Sequence, residues 1–133
     1  MNTEAAWAAG FFDGEGCTTI NKSRPKERAL DKARPQLGLR MSLAQVQIEP
    51  LIRFRDAVGV GAIRGPYLYS TNRQPHWQWN VSNMDVIKVL DIIWPYLSVV
   101  KQRQALIKVY EYARYLEDYP PRSNQYDKRI KKT

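Results

Sequence analysis

The ten residues Trp7-Ala8-Ala9-Gly10-Phe11-Phe12-Asp13-Gly14-Glu15-Gly16 place three unlike demands on one short helix, and any fold of this chain has to meet all of them. Read as helical from about Thr3 to Asp13, the segment sets Ala6, Gly10 and Gly14 four residues apart. One narrow stripe then carries nothing larger than a methyl group, and small residues at this spacing let a second helix backbone approach closely. Trp7 and Phe11, also four apart, are expected to point elsewhere and to anchor the helix in a core. Asp13 and Glu15 arrive where the helix ends, at the negative pole of its macrodipole, where an acid costs about 0.3–1 kcal/mol. Acids set against the dipole beside a stripe made for close approach point to a cationic partner. The plainer alternative is a core helix running into a glycine turn, its acids solvated.

At 133 residues the chain makes one domain with room for a real core. Its 21 Lys and Arg against 13 Asp and Glu leave a net charge of +8, which favours a polyanionic partner, nucleic acid ahead of a membrane surface. No apolar run has the length of a membrane span and the N-terminus carries an acid where a signal peptide is basic, so an intracellular protein without a signal peptide is expected. Cys17 is the only cysteine and His76 the only histidine, which excludes an intrachain disulfide, a cysteine-rich zinc site and paired-histidine chemistry. An active site here has to run on carboxylates, amides and basic groups, as that of a Mg²⁺ nuclease does.

Downstream, Cys17 to Ser23 reads as a strand with Thr18, Ile20 and Lys22 alternating against Cys17, Thr19, Asn21 and Ser23. Residues 24–35, charge-rich and bounded by prolines, read as a solvated loop. From Gln36 to Gln47 the alternation is clean, with Leu37, Leu39, Met41 and Leu43 toward a core and Gln36, Gly38, Arg40, Ser42 and Ala44 away from it. Glu49 to Val58 reads as a helix stopped by Gly59. Val60 to Ser70 and His76 to Ser82 form a second hairpin across residues 71–75, with Trp77, Trp79 and Val81 inward. Ser82-Asn83-Met84-Asp85 resembles a capping box opening a helix to about Trp94, and a last helix runs from Tyr96 or Val99 to Leu116. A basic, flexible tail is expected over 119–133, after a domain of residues 1–118.

The stretch from Ala8 to Gly16 resembles the nine-residue signature of the LAGLIDADG homing endonucleases, with Ala for Leu at its start and Glu for Asp at its second acid. Val58-Gly59-Val60-Gly61-Ala62-Ile63 is similar to the family's turn before its third strand, and Lys101-Gln102-Arg103-Gln104-Ala105 to the opening of its late helix. The resemblance covers about residues 3 to 116 and implies an α+β fold of order αββαββα, an antiparallel DNA-binding sheet and an extra C-terminal helix.

The resemblance further implies a single-motif homodimer, a homing endonuclease that cuts both strands of a long pseudo-palindromic duplex with Mg²⁺, Mn²⁺ or Ca²⁺ being able to substitute in binding. Two chains meeting through Ala6, Gly10, Asp13 and Gly14 bring both copies of Glu15 to the two-fold axis, where Glu15 and the Gly14 carbonyl hold metal. The family's glutamine near the attacking water falls on Gln45, with Gln47 as runner-up, and its late-helix lysine on Lys101, which otherwise reads as a solvated helix residue. Gln45 shares the parity of Leu39 and Leu43, and a Gln closing an apolar face marks either a strand end or a use. Thr19, Asn21, Gln36, Arg40, Ser42, Arg64, His76, Gln78 and Asn80 are the candidate DNA readers; taken singly, each is as well explained as a solvated sheet residue. Two rivals share the fold: a DNA-binding regulator that no longer cleaves, and an intron maturase that binds RNA. Target sequence, host intron or intein and cleavage stagger are not readable from the chain.

Overall fold

The computed structural model describes residues 2–23, 36–68, 70 and 74–120. The expected loop at 24–35, most of the turn at 71–75 and the tail beyond 120 lie outside the described residues. In chain order the elements are α1 (Thr3–Glu15), β1 (Cys17–Ser23), β2 (Gln36–Gln45), α2 (Glu49–Val58), β3 (Ala62–Tyr67), β4 (His76–Ser82), α3 (Met84–Ile93), a 3₁₀ turn (Trp94–Tyr96) and α4 (Val99–Asp118). The α+β class and the order αββαββα with a further helix are those expected.

The strands form one antiparallel sheet in the order β1-β2-β4-β3. Register sorts their side chains into rows. Ile20 faces Leu39; Thr18, Met41 and Val81 make a second row, and Leu43, Trp79 and Ile63 a third, all on the side covered by the helices. This is the core face, since period-two alternation puts every second residue of each strand on it. Leu39, Met41, Leu43, Trp79, Leu51, Phe54, Val86, Val89 and Ile93 are fully buried there. Phe54 meets Trp79 edge-on at 4.6 Å between centroids and stacks near Phe12 at 6.3 Å.

Four local expectations change. α1 runs on to Glu15, so the second acid lies in its last turn; Asn2 caps its start by accepting from the Ala5 amide at 3.1 Å. Trp7 and Phe11 pack against the core only from its rim. Ala5, Ala8, Ala9 and Phe12 are buried instead, while Trp7 and Phe11 are half-buried at the rim, stacked on each other at 5.2 Å, with Arg53 lying 4.0 Å over the Trp7 ring. No capping box opens α3: Asn83 has φ +56° and spends its side-chain oxygen on the Leu39 amide at 3.1 Å. β2 ends at Gln45 and β3 spans only Ala62 to Tyr67.

The turn between α2 and β3 is where glycine is required. Gly59 ends α2 at φ +76°, and Gly61 lies at φ +112° against the Trp79 indole, which a Cβ there would strike. The indole Nε1 donates to the Val60 carbonyl at 3.0 Å, tying the turn to the centre of the core.

Candidate active site and nucleic-acid face

Opposite the buried side of α1, Gly10 and Gly14 are exposed, and a Cβ built on either meets no atom within 4 Å. Ala6 lies half-buried beside them. The small-residue stripe therefore faces out of the single chain.

The two acids at the end of α1 have different surroundings. Both oxygens of Asp13 accept from the Ser98 amide, at 3.1 and 3.2 Å, and Ser98 is the N-cap of α4. Its charge lies against its own helix dipole but toward the positive pole of α4, which offsets the cost. Glu15 is exposed and has no hydrogen-bond or ion-pair partner among the described residues. Lys101, in the first turn of α4, is likewise set against its own helix dipole, and its Nζ donates to the Gly16 carbonyl at 2.7 Å. A carboxylate and an ammonium, each disfavoured by its own helix, thus mark two successive residues as one unit, Glu15 by its side chain and Gly16 by its carbonyl.

That unit borders the bare face of the sheet. Its rows are Thr19, Arg40 and Ser82; then Cys17, Ser42, Asn80 and Ala62; then Ala44, Gln78 and Arg64, with Asn21 opposite Gly38 and His76 beside Tyr67. Gln36 begins β2, exposed, opposite Ser23. Glu15, Cys17, Arg40, Ser42, Leu43, Ala44, Gln78 and Asn80 line a cleft of about 300 Å³. A second, of about 440 Å³, is lined by Arg40, Gly61, Ala62, Arg64, Asn80, Val81, Ser82 and Asp85. Across the face, Arg40 donates from Nε and Nη2 to Asn80 Oδ1, and Gln78 Nε2 lies 3.3 Å from His76 Nε2.

None of the four strands contains Asp or Glu, while Arg40 and Arg64 rise from this face. Lys22 turns the other way, to Glu111 of α4 at 3.1 Å. Asp85 comes in from α3 at the edge of the second cleft, 3.3 Å from Lys88. The remaining strong ion pair is remote from the face: the hydrogen bond from Arg53 lowers the Glu4 pKa and, in return, raises that of Arg53.

Gln45 is the last residue of β2. It pairs with Trp77 on the core face and lines neither cleft; Gln47 is exposed in the bend after β2. Cys17, Ala44 and Ser82 share the outer face with the candidate readers without being among them; the alternation that selects Thr19, Ser42 and Asn80 selects them equally. Among the described residues no group of three or more His, Cys, Asp or Glu side chains could hold a metal ion, and no helix is long and apolar enough to cross a membrane.

The sequence profile of the LAGLIDADG endonucleases matches residues 8–113, with the signature, the sheet and most of α4 inside the match. The chain belongs to the LAGLIDADG endonuclease family. Solved structures of the same fold include the homing endonuclease I-CvuI on DNA carrying the I-CreI target, at 23% identity over 79% of this chain and 63% of that one, with a TM-score of 0.61. The intron-encoded homing endonuclease I-CeuI, complexed with DNA, matches at 14% identity, 88% and 55% coverage and a TM-score of 0.63. The archaeal intron-encoded enzyme I-Vdi141I, also on DNA, gives 19%, 86% and 65%, and 0.61. The matches therefore span between 55% and 65% of those three chains, and at these identities what is shared is the fold. Among curated proteins, no sequence matches the chain. This LAGLIDADG chain carries one signature, at Ala8 to Gly16.

Proposed function

We propose that this LAGLIDADG protein is a site-specific homing endonuclease that binds a long pseudo-palindromic duplex as a homodimer and breaks both strands with a divalent metal, Mg²⁺ in the first instance. The observation that carries the reading lies at the end of α1: Glu15, unpartnered among the described residues, lines a cleft on a sheet face whose strands hold no acids, and at the next residue the Lys101 ammonium donates to the Gly16 carbonyl. Each charge costs its own helix stability, and an electrophilic phosphate with a cation beside it would use both.

One carboxylate per chain makes no metal cage, which agrees with a site completed by a second copy and by DNA oxygens. The donor set fits a hard cation: Glu15 supplies a carboxylate, and the Gly14 carbonyl lies in the last turn of α1, where helix carbonyls lack an intrahelical donor. A bound divalent ion would neutralise the transferring phosphoryl group and lower the pKa of attacking water. I-CvuI has been crystallised on DNA with Mg and with Ca, which supports a divalent metal in the fold. Lys101 would stabilise charge on the cleaved phosphate. We assign the position near the attacking water to Gln45, which ends β2, with Gln47 in the bend beyond it as runner-up.

The sheet face would lie in the major groove, which admits a two-stranded ribbon. A dimer carrying 2 × 8 = +16 should bind with a steep salt dependence. The test is selection from a random duplex library followed by incubation with Mg²⁺ or Mn²⁺. Double-strand cuts at the selected site, lost in Glu15→Gln with binding retained, support the enzyme; binding of a selected site that is never nicked makes the chain a non-cleaving regulator, and a preference for intron RNA over every duplex makes it a maturase.

A further inference from the structure

Arg40 and Asn80 stand on β2 and β4, the two inner strands, at the centre of the bare face, and both line both of its clefts. The Asn80 carbonyl oxygen takes two donors from one edge of the guanidinium, Nε at 3.1 Å and one hydrogen of Nη2. That leaves the end-on edge open, where one hydrogen from Nη1 and the second from Nη2 project in parallel. A planar fork of this kind matches two acceptors side by side, as guanine presents with O6 and N7 in the major groove. Arg40 is half-buried, so holding its torsions before binding removes an ordering cost that a free arginine would meet on the DNA.

We propose that Arg40 and Asn80 act as one reader of a single guanine in each half-site, with Arg40 touching the base and Asn80 serving as a positioning residue. The proposal rests on the sheet face binding duplex DNA. It sharpens that reading by removing Asn80 from the set of independent readers: its oxygen, the atom that would accept from adenine N6, is already occupied by Arg40. A phosphate offers two acceptors to the same fork, but Arg40 sits in mid-sheet rather than at an outer strand.

The test is library selection and competition binding with the full chain, comparing wild type with Arg40→Lys, Asn80→Ala and Asn80→Asp. Wild type should select guanine at one position per half-site, preferred over the other bases by roughly five- to hundredfold. Arg40→Lys keeps the charge and loses the fork, so preference at that position alone should collapse. Asn80→Ala should relax the same position by a larger factor than it weakens binding to non-specific duplex; Asn80→Asp, which can accept from the same Nε and Nη2, should restore the preference with uniformly weaker binding. A loss of preference at a different position in Asn80→Ala, especially for adenine, overturns the positioning role. Preferences untouched by Arg40→Lys overturn the base contact and make Arg40 a phosphate clamp. Failure of wild type to select any duplex overturns the DNA-binding reading itself and this proposal with it.

Discussion

Substitution of Gly10 should move fold stability and self-association in opposite directions. Gly10 lies inside the 13-residue α1, exposed, and a Cβ there meets nothing within 4 Å. Within a single chain, Gly10→Ala therefore gains only the difference in helix propensity, about 0.8–1 kcal/mol. For a domain of this size that raises Tm by about 3–6 °C. If a second copy packs its own stripe here, the same open space is filled by the partner. A leucine would then overpack the contact by about 1–3 kcal/mol per copy, and the two-fold axis counts it twice. The dimer dissociation constant should rise by roughly thirty- to ten-thousandfold for Gly10→Leu. Sedimentation velocity over a dilution series measures the second quantity; thermal unfolding at the lowest concentration measures the first. A Gly10→Leu protein that dilutes like wild type would remove the stripe from any interface. A fall in Tm for Gly10→Ala under conditions where the chain is monomeric would show that the position is not open in the fold.

Asp13→Ala leaves the Ser98 amide without its acceptor and the start of α4 without its counter-charge, and should lower the urea midpoint by the equivalent of about 1 kcal/mol at unchanged m-value. Gln45→Ala should slow cleavage and Gln47→Ala should leave it unchanged; single-turnover kinetics with denaturant melts on both variants separate a loss of catalysis from a loss of stability, and slowing confined to Gln47→Ala would move the site there. Burial raises the Tyr112 pKa above its ordinary 10.0, with the neighbouring Tyr115 adding to the shift. Because the folded value is the higher one, this contribution to stability is complete below about pH 10 and is lost as pH climbs through the folded pKa. Tyr112→Phe should flatten that alkaline loss in a pH series of melts.

Alternation made the sheet legible, because a strand with one buried face writes its own period: β1, the body of β2 and β4 all follow it, and so does the composition of the outer face. The stop at Gly59 was equally readable, since only a residue at ease with positive φ ends a helix this way. What escaped depended on partners distant in sequence. Asn83 looks like half of a capping box until the Leu39 amide is beside it, 44 residues upstream. Trp7 and Phe11 look like anchors because they are large, yet the close approach of α1 to α2 and the sheet is made by Ala5, Ala8 and Ala9, and bulk is admitted only at Phe12 and at the rim. Gln45 carried a double signal, polar on an apolar parity, and the end of β2 at that residue, opposite Trp77, bears out the strand end.

The two acids of the signature show most directly how far residue-level reasoning reaches. Helix electrostatics flags Asp13 and Glu15 equally, since both sit at the same wrong pole. Only the packing of α4 separates them. The Ser98 amide accounts for Asp13, so no further ligand is needed to explain it. For Glu15 nothing among the described residues performs that service, while 2.7 Å from the next residue's carbonyl stands a lysine disfavoured by its own helix in the mirror-image sense. If these charges were incidental, Glu15→Gln would relieve a dipole conflict and raise stability by about a few tenths of a kcal/mol with no loss of activity, and Lys101→Met would lose only the bond to the Gly16 carbonyl. If they serve catalysis, both substitutions should abolish cleavage while Glu15→Gln still stabilises the fold. A gain in stability bought at the cost of function is the pattern a working site leaves.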